Sequence, residues 1–555
     1  MEKTRSNPLI HLLPSLRDVA FFMPVLFVVL KSGGASRLIE GDTGWHIRTG
    51  EWILQNGRVP DKDFFSFTKP GETWFAWEWL WDLLFAWLHG AGGMAAVVLV
   101  SLLLICSVTL LLYREILRHS GNCLVAIGLT FLASAAGSIH WWARPHIVTL
   151  LFGLWTYALL DRAQTGSMRR LWILPPMMVL WTNLHGGFFV AILMIAAFAA
   201  GECAAAVLEP GPVERRRALV RAGKLGGIAV ACLGASLVNP YHYHLHRHIY
   251  LYLSTDWHFK NIVEFFSVSF QIPAARYFEA LLFLALPAAF WHLLRKRFSY
   301  VFLIVGWAHL ALFAGRNIPV FALISAPLIG LAMKEWGDEF QRAGVTGWAR
   351  RLWSSTEELA SEISLMEAIH RLPIARLAGV AALALLFLAP APPARFRADF
   401  DETFPAKALQ AIEVTPDSRI FTTDEWGDYL IYKLYPRLRV FVDGRSDFYG
   451  EAFDQKYIDT INLKHGWAGN LEQYGIDTVL LPVALPMVGA LKESSRWQVV
   501  YDDGVSIAFR SKDGYSADGS KGSVVSLGTT SVGGCSEING SGSNVTKTHG
   551  RRDEI

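Results

Sequence analysis

Residues 91–112 read AGGMAAVVLVSLLLICSVTLLL, an apolar run without a charged side chain. A helix that crosses the hydrocarbon layer of a bilayer needs about 17–25 such residues. The run therefore predicts a spanning helix, which ends at the basic turn Arg114 to His119. Similar runs recur on both sides, and by the same length rule they predict about eleven spans. They lie near 18–33, 91–112, 122–139, 147–162, 171–184, 186–208, 225–238, 277–294, 299–314, 317–333 and 374–391.

The charge distribution predicts an orientation in the membrane. Cytoplasmic loops of membrane proteins are rich in Lys and Arg. With a cytoplasmic N-terminus, every cytoplasmic turn carries clustered basic residues: Arg114 to His119, Arg162 to Arg170, Arg215 to Lys224, Arg295 to Arg297, and Lys334 to Arg376. This alternation places residues 392–555 outside the cytoplasm. The net charge of +3 is small and predicts no nucleic-acid partner, and the five cysteines lack disulfide or zinc spacing.

The pattern of hydrophobic and polar residues changes after the last predicted span. Short β-rich runs alternate with helical stretches between residues 404 and 510, which is typical of a small α/β domain. The runs are Ser418 to Thr422, Leu438 to Asp443, Thr478 to Leu481, Val499 to Tyr501 and Ser506 to Arg510. We predict a transmembrane domain at 1–392 with a first outer loop at 34–77, an extracytoplasmic α/β domain at 393–510, and a disordered polar tail at 511–555.

Asp42 is the most informative residue of the first outer loop. It follows the first span by a few residues and is therefore held near the membrane surface. A carboxylate there could take a proton from a hydroxyl that attacks a lipid-linked donor, since a general base must lie within hydrogen-bond reach of that proton. Alternatively, Asp42 caps the helix that Trp45 to Leu54 would form.

Cations near the membrane surface are candidates for binding a donor phosphate. Arg144 and His146 lie in a short outer loop after the third span, and Arg316 stands in a turn between two apolar helices. Ionisable groups at such depth usually face a cavity, and guanidinium groups match phosphate geometry. The alternative for the arginines is snorkelling to the interface.

Other polar residues stand at turns. His185 could bind a sugar or phosphate, or Asn183 and His185 could satisfy the exposed backbone of the turn before Gly186. Glu264 is a further candidate for contacting the acceptor.

Asp443 and Arg445 follow a strand-like run, where open α/β sheets commonly bind ligands. They could contact the acceptor, or form a structural ion pair. Asp61 and Asp63 form a D-x-D string, which could bind a divalent cation or form a turn. Two oxygens make a weak cation site, so we assign no metal ligand.

Together these motifs resemble the GT-C class of membrane glycosyltransferases, and more closely the bacterial RgtA/B/C/D-like and polyprenyl-phosphate mannosyltransferase-like group. The resemblance covers residues 15–510. It is carried by Asp42 with Trp45–His46, Val59–Pro60 followed by Asp63, Glu78–Trp79–Leu80, Arg144–Pro145–His146, Trp181 to Gly187, Asn239–Pro240–Tyr241, Arg316–Asn317, Trp426 to Leu430, and Val442 to Arg445. One departure is that this class often pairs acids closely in the first loop, whereas Thr43–Gly44 follow Asp42 here.

The resemblance implies an α-helical polytopic protein of the bacterial inner membrane. It implies inverting transfer of a sugar from a polyprenyl-phosphate donor to an extracytoplasmic glycan, lipid or protein, with Asp42 as the base. Candidate substrate contacts are His46, Arg48, Asp63, Glu78, Arg144, His146, Asn183, His185, Glu264, Arg316, Asp443 and Arg445. The alternatives are a transporter or flippase of lipid-linked glycan, for which no internal repeat is visible, and a non-catalytic membrane scaffold.

Overall fold

A computed structural model describes residues 13–31, 33–343, 347–367, 373–400 and 402–512 of the chain. The predicted polar tail lies outside the described residues from position 513 onward. Within these ranges the protein is mainly helical and carries one four-stranded sheet near its C-terminal end.

A helix lies at the position of each predicted span. These helices are Leu16–Val25, Trp79–Ser120, Cys123–Gly137, His146–Thr165, Leu174–Leu184, Phe189–Leu208, Pro212–Ala235, Ala275–Leu294, Phe298–Phe313, Ile318–Arg342 and Ile374–Phe387. Six helices in the described ranges are both long and apolar enough to cross a membrane. The chain is therefore a multi-pass membrane protein, but a count of about eleven crossings, estimated from helix length, is not confirmed.

Two of these helices differ from the predicted spans. Arg215 to Lys224, predicted as a turn, is the first half of the helix Pro212–Ala235. Proline fits the first turn of a helix and no further proline follows within it, so the helix starts before its apolar part. The helix Trp79–Ser120 begins well before residue 91 and bends at Gly92 and Gly93, where Gly93 adopts a φ of 63°.

Further helices lie outside the predicted spans. The helix Gly41–Asn56, here called the outer helix, lies between the first span and Trp79–Ser120. The helices Tyr243–Ser254 and Asp256–Asn261 and the 3-10 turn Val263–Phe265 follow the helix Pro212–Ala235 in sequence, and the helix Trp348–Glu367 precedes the last span.

The C-terminal domain is built on the sheet β1 (Ile420–Phe421), β2 (Thr478–Pro482), β3 (Trp497–Asp502) and β4 (Ser506–Ser511), in the order β1-β2-β4-β3. β1 is parallel to β2, and the other pairs are antiparallel. Its helices are Ala406–Ala411, Asp424–Leu434, Ser446–Tyr449, Glu451–Ile461, Trp467–Gln473 and Pro486–Glu493. We call Asp424–Leu434 the docking helix because it packs on the outer helix.

The run Leu438 to Asp443 is not a strand of this sheet, which corrects the prediction from sequence. Its backbone pairs with the first outer loop: the Val440 N–H donates to the Phe65 carbonyl at 2.9 Å, and the Phe67 N–H donates to the Val440 carbonyl at 3.0 Å. Phe65 and Trp74 of the loop are also buried in the same apolar core as the sheet. The first outer loop therefore folds together with the C-terminal domain.

Candidate active site

Three carboxylates converge on Arg144 at the start of the outer helix. Arg144 Nη2 donates to Asp42 Oδ2, Nη1 donates to Glu264 Oε1 at 2.5 Å, and Nε lies 2.6 Å from Glu40 Oε1. The N-cap of the outer helix is Glu40, and Asp42 lies in its first turn. The alternative in which Asp42 is the capping residue is therefore wrong, and its side chain is directed to Arg144.

Burial and this single guanidinium set the ionisation of the cluster. Burial raises the pKa of Asp42 above its ordinary value despite the opposing charge of Arg144, and it raises the pKa of Glu40 still more. Burial acts in the same direction on Glu264, but the charges of Arg144 and Arg316 outweigh it and hold that pKa below its ordinary range. One cation cannot compensate every acid in a poorly solvated site, so burial prevails over Arg144 at Asp42 and Glu40, whereas the arginine charges prevail at Glu264.

A second group of side chains surrounds Glu78. His46 Nδ1 lies 2.6 Å from Asp82 Oδ1, and its Nε2 lies 3.7 Å from Glu78 Oε2. His185 Nε2 lies 3.5 Å from Glu78 Oε1. Burial raises the pKa of Glu78 to about 8, and burial together with the charges of Arg316 and Arg144 lowers the pKa of His185 to about 3. At neutral pH, Glu78 and His185 are therefore an uncharged pair of hydrogen-bonding groups.

Arg316, like Arg144, is a half-buried arginine at a turn between helices. It stands in the 3-10 turn Gly315–Asn317, which is anchored by a 2.8 Å hydrogen bond from the Gly315 N–H to the Phe266 carbonyl. Its guanidinium lies over the Phe265 ring at 4.6 Å. Among the residues that the structure describes, no carboxylate forms an ion pair with it. Phe265 adjoins Glu264 in the turn Val263–Phe265, so Arg316 lies in the same site, and its charge lowers the pKa of Glu264.

Arg48 lies in a contact between domains. Its Nε donates to the Tyr432 carbonyl at 2.8 Å, and its Nη1 donates to Glu51 at 2.6 Å. The bond to Tyr432 ties the outer helix to the docking helix, and the substrate contact expected for Arg48 stays a prediction.

Asn183 and His146 also have partners within the protein. Asn183 Oδ1 accepts from Trp79 Nε1 at 2.7 Å, and its Nδ2 donates to the Val238 carbonyl at 2.8 Å. His146 Nε2 lies 2.5 Å from the His140 carbonyl. For Asn183 this geometry matches the alternative in which it satisfies exposed backbone at a turn. The His146 side chain likewise contacts a backbone carbonyl of its own turn.

Arg445 joins the first outer loop to the C-terminal domain. Its Nε and Nη2 donate to Asp443 at 2.7 Å, and Nη2 also donates to Asp63 Oδ1 at 2.7 Å. The guanidinium lies 4.4 Å from the centre of the Trp74 ring, and the side chain is only 2% exposed. This geometry matches the alternative of a structural ion pair for Asp443 and Arg445.

The D-x-D string does not form a cation site in this structure. Asp63 is buried and bonded to Arg445 and Ser66, whereas Asp61 is exposed near Arg58. No group of His, Cys, Asp or Glu within the described ranges is arranged to hold a metal ion. At the larger acid cluster, the guanidinium of Arg144 already lies where the carboxylates meet. The residues present therefore do not fit a divalent cation.

The candidate site residues predicted from sequence do not include Glu40, Asp82 and Asp428. Glu40 stands two residues before Asp42, so the closely paired acids typical of the class lie upstream of Asp42 and not downstream. Asp428, on the docking helix, lies within hydrogen-bond reach of the Asp42 carboxyl group. Asp428 lies inside a quoted motif, but no local pattern links position 428 to position 42.

The chain is similar to known proteins in structure and not in sequence. No protein-family model matches it, and no curated protein matches it in sequence. The solved apo structure of the Archaeoglobus fulgidus oligosaccharyltransferase is similar, with a TM-score of 0.51 and 13% identity over 87% of this chain and 70% of that chain. AglB from the same archaeon, in complex with an inhibitory peptide and a dolichol-phosphate, gives a TM-score of 0.52 and 13% identity over 91% and 74%.

A third structure is that oligosaccharyltransferase tethered to an acceptor peptide containing the NVT sequon. It gives a TM-score of 0.51 and 13% identity over 86% of this chain and 69% of that chain. These likenesses extend over both the membrane helices and the C-terminal domain. The closer likeness to the RgtA-like group, expected from sequence, is not tested by them. The protein has the fold of a GT-C-type membrane glycosyltransferase.

Proposed function

We propose that the protein is a membrane glycosyltransferase that moves a sugar from a polyprenyl-phosphate donor to an extracytoplasmic acceptor. The observation that carries the proposal is that Asp42 and Arg316 lie in one site on a GT-C-type fold. Asp42 is held by Arg144, and Arg316 lies in the same site without a carboxylate partner among the described residues. The dolichol-phosphate in the complex of the archaeal neighbour supports a lipid-phosphate donor.

Asp42 acts as the general base in this proposal. An acceptor hydroxyl attacks the anomeric carbon of the donor, and its proton passes to Asp42 as the new glycosidic bond forms. Arg144 occupies only one oxygen of Asp42, and a carboxylate has further lone pairs available for the acceptor proton.

Arg316 binds the phosphate that leaves. The bond between the anomeric carbon and the phosphate oxygen breaks, and the negative charge stays on the lipid phosphate, where a guanidinium stabilises it with charge-assisted hydrogen bonds. Glu78 and His185 are neutral at working pH and can hydrogen-bond to sugar hydroxyls.

Transfer from radiolabelled polyprenyl-phosphate sugars by the purified protein tests the function. Asp42→Asn should lower turnover by about 100-fold or more, because it removes the base. Asp61→Asn is the matched control: it lies in the same loop, is 65% exposed, and should leave turnover unchanged. If the wild type binds donor lipids but no acceptor mixture yields transfer, the transporter or scaffold alternative is correct.

Arg316→Gln tests the phosphate site in the same assay. We expect kcat/KM for the donor to fall by about 10–100-fold, since a charge-assisted contact is lost. Arg276→Gln is the control, because Arg276 is an exposed arginine at the start of the helix Ala275–Leu294. Equal activity of the two variants would contradict the assignment.

A further inference from the structure

The docking helix brings a second carboxyl group to Asp42. Asp428 is 1% exposed, and its Oδ1 accepts a hydrogen bond from the Gly444 N–H at 2.9 Å. Its other oxygen, Oδ2, lies on the side of the Asp42 carboxyl group, within hydrogen-bond reach of it. Gly444 lies directly against both. A Cβ at position 444 would overlap Asp42 Oδ1 and lie 2.7 Å from Asp428 Oδ2.

Each oxygen of Asp42 thus has a partner from a different part of the fold. Arg144, from the membrane domain, donates to Oδ2. Asp428, from the C-terminal domain, lies on the Oδ1 side. Two ionised carboxylates at this distance would repel each other, so a hydrogen bond between them requires a proton.

The surrounding charges determine which carboxyl group carries this proton. Asp428 faces Asp42 on the outer helix, Asp443 on the adjoining loop, and Asp424 on its own helix. Burial and the charge of Asp42 raise the pKa of Asp428 well above its ordinary value. Asp42 is the carboxyl group next to Arg144, so Asp42 is the ionised member and Asp428 is the donor.

We propose that Asp428 is a positioning residue for Asp42: its carboxyl group donates a hydrogen bond to Asp42 Oδ1, opposite Arg144, and fixes the carboxylate in place. The C-terminal domain therefore supplies part of the active site. This inference rests on the proposed function of Asp42 as the base.

Two substitutions at position 428 separate positioning from simple folding. Asn keeps an N–H donor toward Asp42, so transfer by Asp428→Asn should fall by less than about 10-fold. In Asp428→Ala, only Arg144 still holds the Asp42 carboxylate. We expect kcat to fall by about 100-fold with little change in KM, because Asp42 is no longer aligned with the acceptor hydroxyl. Asp424→Asn, on the same helix and bonded to Tyr457, should behave like the wild type.

The pH dependence of transfer distinguishes a positioning role of Asp428 from a purely structural one. As pH rises through the pKa of Asp428, a second carboxylate forms, repels Asp42 and lowers wild-type transfer. Asp428→Asn cannot ionise, so this alkaline decline should be absent, while the acidic decline from protonation of Asp42 should remain. Two results would overturn the proposal: an alkaline decline unchanged in Asp428→Asn, or equal loss in the Asn and Ala variants.

Infrared spectroscopy tests the shared proton without any transfer assay. At neutral pH the purified wild type should show, beside the absorption of protonated Glu78, a second protonated-carboxyl C=O band that is missing from the Asp428→Asn spectrum and present in the Asp424→Asn spectrum. If the band is unchanged in Asp428→Asn, Asp428 is not the donor and the proposal fails. If no lipid sugar is ever transferred but the band is lost, the proposed function has failed, while the hydrogen bond itself stands.

Discussion

Glu78 is a residue that the fold keeps protonated near neutral pH. Burial raises its pKa to about 8 from an ordinary value of 4.5. Folded protein therefore holds a proton on Glu78 at pH values where the unfolded chain has lost it. Stability from this difference is complete below the unfolded pKa and is lost as pH rises toward the folded one. We predict that the unfolding temperature of the wild type falls by a few degrees more than that of Glu78→Gln between about pH 5 and pH 8.

Thermal unfolding of both proteins in detergent measures this difference. Glu72→Gln is the matched control, since Glu72 is 57% exposed in the same loop and pairs only with Lys69 on the surface. Its curve should run parallel to the wild type. Parallel curves for Glu78→Gln would mean that Glu78 is ionised in the folded protein.

At the residue scale, part of the site follows from sequence. Asp42 and Arg316 can be proposed from sequence as candidate site residues, because a charge next to an apolar span is costly and therefore informative. Asp428 cannot, because its contact with Asp42 crosses most of the length of the chain. For Arg445 the sequence shows a charged turn, but not the buried Asp63 that the guanidinium neutralises.

The outer helix is the element on which the site depends, since it carries Asp42 and His46. Its Gly50 lies directly against the helix Trp79–Ser120: a Cβ there would overlap the Asp82 carbonyl oxygen and lie 2.7 Å from the Ala86 Cβ. We predict that Gly50→Ala destabilises the protein by about 1–3 kcal/mol, because overpacking forces the two helices apart.

Thermal unfolding and transfer by the same sample test this prediction. Gly90→Ala is the control, because Gly90 lies in the helix Trp79–Ser120 at a position where an added methyl group would meet no atom within 4 Å. Transfer should fall in Gly50→Ala and not in Gly90→Ala. A stable and active Gly50→Ala protein would show that the helices have room to separate.

Helices and strands can be predicted from the sequence where a local physical rule determines them. A bilayer forces apolar residues into helices, so hydropathy alone places a helix at each expected span. The run Leu438 to Asp443 has the composition of a strand, but its partner is Phe65, far away in sequence. Composition predicts an extended backbone there, but it cannot tell which segment completes the pairing.

At the scale of the whole molecule, Arg445 joins the two halves of the site. Its guanidinium neutralises Asp63 of the first outer loop and Asp443 of the C-terminal domain, and all three side chains are buried. Arg445→Met would leave two carboxylates in the interior without a cation. We expect a loss of about 3–5 kcal/mol in stability, as is typical when one partner of a buried ion pair is removed.

The same variant should also impair transfer, because Asp428 reaches Asp42 only while the C-terminal domain is docked. Arg439→Met is the control: it removes an exposed arginine six positions earlier and should change neither property. Limited proteolysis of the segment at residues 393–400 reports the docking directly, since cleavage should accelerate in Arg445→Met. Lost stability with unchanged cleavage and normal transfer would mean that the C-terminal domain stays in place without this ion pair, and that docking depends instead on the contact between the outer helix and the docking helix.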